Sequence, residues 1–107
     1  MSYTTASITI HAEKFSTETD PRYRVYLDDR IIVERVYWTD HDKNAVIENI
    51  TFKDDDQQHK LKVCSVFEDL GNFSVNNVRF FDGDTNQNLV ISHTLDQNTV
   101  TFETARR

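Results

Sequence analysis

Residues 59–81 read HKLKVCSVFEDLGNFSVNNVRFF. Leu61, Val63, Ser65 and Phe67 alternate with Lys60, Lys62, Cys64 and Val66. A period of two is the mark of a strand with two unlike faces. Past Gly71 the pattern resumes, with Phe73 and Val75 in one phase and Val78 and Phe80 in the other. The slip between them falls at Asn76-Asn77, which predicts a β-bulge there. Two long strands separated only by Glu68–Asn72 predict a hairpin forming the middle of a sheet.

Working outward, the same period recurs on both sides. Upstream, Ser7–Ala12 carries Ile8, Ile10 and Ala12 on one face, with residues 1–6 read as a loose or edge arm. Arg22–Leu27 turns Tyr23, Val25 and Leu27 inward and Arg22, Arg24 and Tyr26 outward, and Asp28-Asp29 is a tight turn into the next strand, Ile31–Trp38. In Ala45–Phe52, Val46, Ile50 and Phe52 share a face that Glu48 interrupts, marking a bulge, an edge or a site. Downstream, Leu89–Leu95 reads as one strand and Thr99–Thr104 as the last, with Val100 and Phe102 inward. Phe15 is expected to plug an end of the core. Glu13–Pro21, Thr39–Asn44, Lys53–Gln58 and Asp82–Asn88 are polar connections. The expected fold is all-β, an antiparallel two-sheet β-sandwich of jelly-roll type with about eight strands, and a closed barrel is the alternative.

Composition agrees with that class. A chain of 107 residues is one domain by size. It has seven Phe and four Tyr but one Pro and two Gly, so Asp and Asn must make most turns, being the residues that tolerate left-handed backbone. The net charge of −6 weighs against nucleic acid, which needs a positive surface. The single cysteine, Cys64, forms no disulfide within the chain and reads as an inert, half-buried thiol. No run is long and apolar enough to span a membrane. The first residues lack the basic and apolar segments of a signal peptide. The expected location is therefore the virion, on the functional reading reached below, or otherwise the cytoplasm.

Few residues point to chemistry. The turns Asp40, Asp42, Asn44 and Asp82, Asp84, Asn86 place oxygen ligands at alternating positions, as calcium requires. Neither turn has the glycine and distal glutamate of an EF-hand, and both also read as ordinary turns. His11, His41, His59 and His93 lack zinc spacing, although His11 and His93 could meet across a sheet. Ser65 and Ser92 lie within strands and lack nucleophile-elbow glycines, so no catalytic set emerges and the protein is read as a non-enzyme. The aromatics Tyr26, Tyr37 and Trp38 are the candidate contacts for a sugar ring or a protein partner.

The segments Ile8–Glu13, Tyr23–Asp29, His59–Val63, Phe67–Asp69 and Asn72–Val78 together resemble the small calcium-dependent, xylan-binding carbohydrate-binding modules, which are jelly-roll sandwiches. The resemblance spans about three-quarters of the chain as a pattern of strands and turns. It implies a calcium ion through which sugar hydroxyls bind, with Asp69 and Asn72 as the carried-over ligands. The family's longer loop, with an aspartate before an arginine and asparagine, is here only Glu68-Asp69-Leu70-Gly71. In size, acidity and richness in Asn, Asp and Thr, the chain is also similar to small virion proteins of tailed phages. The shortened loop ranks assembly above sugar binding. The expectation is a non-catalytic structural or binding sandwich, a capsid-decoration, tail or fibre component that forms a homo-oligomer or larger assembly. The alternative is a carbohydrate-binding module, with or without calcium.

Overall fold

The computed structural model describes residues 3–13, 22–37, 45–66 and 72–103. Among the described residues nine strands run in order: β1 (Tyr3–Glu13), β2 (Arg22–Leu27), β3 (Arg30–Val36), β4 (Val46–Lys53), β5 (Gln58–Ser65), β6 (Asn72–Asp82), β7 (Asn88–Leu89), β8 (His93–Asp96) and β9 (Thr99–Glu103). They form two antiparallel sheets, β4-β1-β6-β7 and β3-β2-β5-β9-β8. The all-β, two-sheet sandwich is thus as the alternation predicts.

The core lies between the sheets. Ala6, Ile8, Ile10, Ile50, Phe73, Val75 and Phe80 face it from the first sheet, and Tyr23, Val25, Leu61, Val63, Val100 and Phe102 from the second. Ile91 joins them from the segment between β7 and β8. Within an uninterrupted strand the inward residues fall at every second position, because successive side chains leave opposite faces, and on β6 the phase changes between Val75 and Phe80.

Stretch 59–81 is central in a way its local pattern does not reveal. β5 and β6 do not pair. β5 is the middle strand of the five-stranded sheet, and β6 lies inside the four-stranded one. The expected hairpin is corrected to a crossing between layers, with each half anchoring one sheet. Among the described residues, antiparallel pairing within a sheet joins successive strands only at β2–β3, β6–β7 and β8–β9. Elsewhere successive strands lie in opposite sheets, as in jelly-roll-type sandwiches.

The predicted bulge is present. Ser7 pairs with Arg79 but Thr9 with Asn76, so Ile8 faces two residues, and Asn77 adopts a left-handed φ of 50°. The other left-handed non-glycine residues described are Asp28, Asp29, Asp56, Asn86 and Gln97. Asp and Asn therefore do most of the turning, and Asp28-Asp29 form the two-residue link of the β2–β3 hairpin. Glycine is needed at Gly83, where a Cβ would lie 2.7 Å from the Cβ of Tyr3. Its amide donates to the Tyr3 carbonyl at 2.8 Å, which draws the two backbones together.

Three further expectations change. Residues 3–6 are not a loose arm: Thr4 and Ala6 are fully buried in β1, which runs between β4 and β6. Small side chains conceal that burial because they lack hydropathy, not because they face water. Leu89–Leu95 is not one strand: β7 pairs with β6 in one sheet and β8 with β9 in the other. The chain crosses between sheets at residues 90–92, burying Ile91 and leaving Val90 fully exposed. His11 and His93 do not meet, since β1 and β8 lie in opposite sheets. Phe15 and the turns at 19–21 and 39–44 lie outside the described residues.

Candidate functional site

Glu48 is the break noted in the inner face of β4, and it is buried at 6 % exposure. Its carboxylate accepts a hydrogen bond from the Tyr23 hydroxyl, and Arg35 Nε lies 2.6 Å from its Oε1. Burial and the neighbouring Glu48 carboxylate push the Tyr23 hydroxyl well above the ordinary phenol range. Arg35 belongs to β3 and Glu48 to β4, the edge strands of the two sheets. The network therefore closes one side of the sandwich. An inward charge on an edge strand also discourages pairing with a foreign strand. Tyr37, a candidate contact residue, is half-buried beside this network. Its ring centroid lies 5.4 Å from that of Phe73 and 6.5 Å from that of Tyr23, and burial raises its hydroxyl pKa despite a hydrogen bond with the Ala12 backbone.

At the Asp28-Asp29 end, His59 bridges two carboxylates. Nδ1 lies 2.5 Å from Asp28 Oδ2 and Nε2 lies 2.7 Å from Asp55 Oδ1. Carboxylates only accept, so both ring nitrogens must carry protons and the imidazole is cationic. Burial against Phe52 and Phe102 opposes the charge, but the bonds to Asp28 and Asp55 outweigh it, so the pKa rises above 6.5. Asp28 also accepts the Lys60 amide at 2.9 Å, so the clamp ties the β2–β3 turn to β5 and to the preceding loop. A raised pKa gives a stabilisation that is complete below the unfolded value and lost as pH rises through the folded one. His59→Gln is accordingly expected to cost about 1 kcal/mol near pH 6, with both carboxylates partly in water. Denaturation midpoints of wild type and variant should converge as pH rises from 6 into the alkaline range. Curves that stay parallel across that range would exclude the charged clamp.

The outer face of the five-stranded sheet carries the candidate contact Tyr26, half-exposed on β2. Pairing places Tyr26 beside Ile31 on one side and Lys62 on the other. The next row holds Glu34, Arg24 and Cys64, and Val36 flanks Arg22 beyond it. Arg24 Nε donates to Glu34 Oε1 at 2.5 Å, and its side chain also hydrogen-bonds the Tyr26 hydroxyl. Exposed apolar side chains gather here: Ile31 at 54 %, Ile32 at 40 % and Val36 at 38 %. An open cleft of about 500 Å³ lies further along the same sheet, beside Ser92, His93, Thr101 and Glu103.

The other sequence-derived candidates are distributed as follows. Asp82 ends β6, and its Oδ1 accepts the amides of Asp84 at 2.8 Å and Thr85 at 3.0 Å, which makes it a turn-forming residue. Asp84 is exposed in that turn. Asn72 opens β6, its side chain lying outside the described set, as do Trp38, Asp40, Asp42, Asn44 and Asp69. Among the described residues no three His, Cys, Asp or Glu side chains converge as a metal would need. His11 Nε2 donates to Asn76 Oδ1 at 3.2 Å, and His93 Nδ1 lies 3.0 Å from the Ile91 carbonyl. Sequence reasoning missed the His59 clamp, for which the local signal was Asp55 four positions earlier. No protein family, curated protein or solved structure matches this chain.

Proposed function

We propose that this protein is a non-catalytic, structural or binding β-sandwich that works by assembly with other protein subunits, as a capsid-decoration, tail or fibre component of a virion does. The observation that carries the reading is the concentration of exposed Ile31, Ile32 and Val36 on β3, next to Tyr26. Scattered apolar residues are normal on a surface, whereas a patch rimmed by charge marks a contact region. Here Arg22 and Lys62 flank the apolar residues, and the Arg24–Glu34 pair lies between Ile31 and Val36. Aromatic and arginine side chains are those most enriched where interfaces draw their energy. Size-exclusion chromatography with light scattering, at rising protein concentration, tests the reading. The expected mass is at least twice that of the chain. A strict monomer at the highest concentration would remove its support.

A further inference from the structure

The proposed assembly needs a specific surface, and the β2–β3 hairpin has one whose chemistry complements itself. Two routes to a second copy start from this region, edge-to-edge pairing of β3 or packing of the outer face.

The edge route is penalised in its longer registers. Asp28 N–H donates to Lys60 O and Val66 N–H to Arg22 O, so even-numbered backbone groups of β2 serve β5 and odd-numbered ones serve β3. Val33 and Arg35, which pair with Val25 and Tyr23, therefore direct their backbone groups at β2, and Glu34 and Val36 direct theirs outward. The β2–β3 register slips between Val25 and Tyr26, leaving Ile32 as the extra residue of a bulge. Self-pairing registers clear of that bulge centre on Glu34, Arg35 or Val36, and the last overlaps only residues 35–37 among the described ones. The first two set glutamate against glutamate or arginine against arginine, and like charges directly opposite are destabilising.

The face route has no such conflict. We propose that the outer face of the β2–β3 hairpin binds the same face of a second copy, about a two-fold axis running along the strands between β2 and β3. That rotation leaves each cross-strand row at its own level and exchanges its two members. Arg24 then lies over Glu34 of the second copy, and Glu34 over its Arg24. Tyr26 covers the other copy's Ile31 and receives the reciprocal contact, while Arg22 lies over Val36. Every opposition is cation to anion, ring to aliphatic, or arginine stem to aliphatic, because the same pairs are already neighbours within one sheet. The contact is isologous and closes at two subunits. Lys60 and Lys62 on β5 fall outside the overlap, where their charge stays in water.

The inference rests on the assembly reading, and its test separates the two. In a dimer, Arg24→Glu sets carboxylate over carboxylate at both of these contacts, and Glu34→Arg sets guanidinium over guanidinium at both. Sedimentation equilibrium on the full chain should show each single variant weakening the dimer by about tenfold or more. An equimolar mixture of the two variants restores both opposite-charge contacts, so its dissociation constant should return to within about threefold of wild type. Repulsion inside each chain persists in that mixture, so recovery reports only on pairing between chains. Tyr26→Ala, at a half-exposed site outside the core, should also weaken the dimer. If wild type associates but the single variants associate equally well, or their mixture shows no recovery, this face is the wrong one and the assembly reading stands. If wild type is monomeric throughout, both fall.

Discussion

Replacing Glu48 by alanine is expected to lower stability by about 3 kcal/mol, although the substitution removes a charge from the interior. The carboxylate is buried, but the Tyr23 hydroxyl is aimed at it and Arg35 reaches in from the edge strand of the opposite sheet. Without Glu48 the fully buried Tyr23 hydroxyl loses its acceptor, which alone costs about 1–3 kcal/mol. Loss of the connection between β3 and β4 then loosens the open side of the sandwich. For a domain of this size the melting temperature should fall on the order of 15 °C. The control is a double replacement, Tyr23→Phe with Glu48→Met, which removes donor and acceptor together while keeping volume. It should recover most of the loss, since exchanging a buried polar network for apolar groups of similar shape is often near neutral. Arg35, more than half exposed, is then solvated by water. Guanidinium denaturation of the two variants beside wild type decides the matter. A Glu48→Ala protein within about 0.5 kcal/mol of wild type, inside the range of ordinary surface substitutions, would show that the network contributes little.

Phe102→Ala is expected to cost about 3–5 kcal/mol, the range for removing a large aromatic from a packed core. Phe102 is 1 % exposed on β9, with its ring centroid 5.1 Å from that of Phe80 on β6 and 5.3 Å from that of Phe52 on β4. It is the point where the two sheets grip each other. It also supports His59, whose ring centroid is 6.0 Å away. The loss is comparable to the entire stability of a marginal small domain, about 5 kcal/mol at the low end. A substantial unfolded fraction at 37 °C is therefore expected, visible as lost near-ultraviolet circular dichroism. Val90→Ala, at a fully exposed position, should change stability by less than about 0.5 kcal/mol. Similar melting temperatures for the two variants would mean that the sheets are not held at Phe102.

Inward and outward faces were legible wherever large apolar residues alternate with polar ones. Tyr23, Val25, Leu61, Val63, Val100 and Phe102 are buried as their periodicity predicts. The slip at Asn76-Asn77 was legible for the same reason, since a change of phase must be absorbed by an extra residue. Glu48 was legible as an interruption, but not as a partner of Tyr23 and Arg35, which lie on other strands. In the contact surface, Tyr26 could be placed on an outer face. Its neighbour Ile31 could not be named, because the bulge at Ile32 shifts the register by one residue.

What the sequence determined by itself is the period of the strands rich in large apolar residues, the faces those residues take, the Asp- and Asn-built turns, and from these an all-β sandwich. These are local properties, set by backbone geometry within a few residues. Only the tertiary structure decided which sheet each strand joins. It separated β5 from β6, divided residues 89–95 between layers, and brought His59 to Asp28 across 31 positions of chain. Alternation records that a face is buried but not against what, and strand partners are chosen by the packing of the whole core.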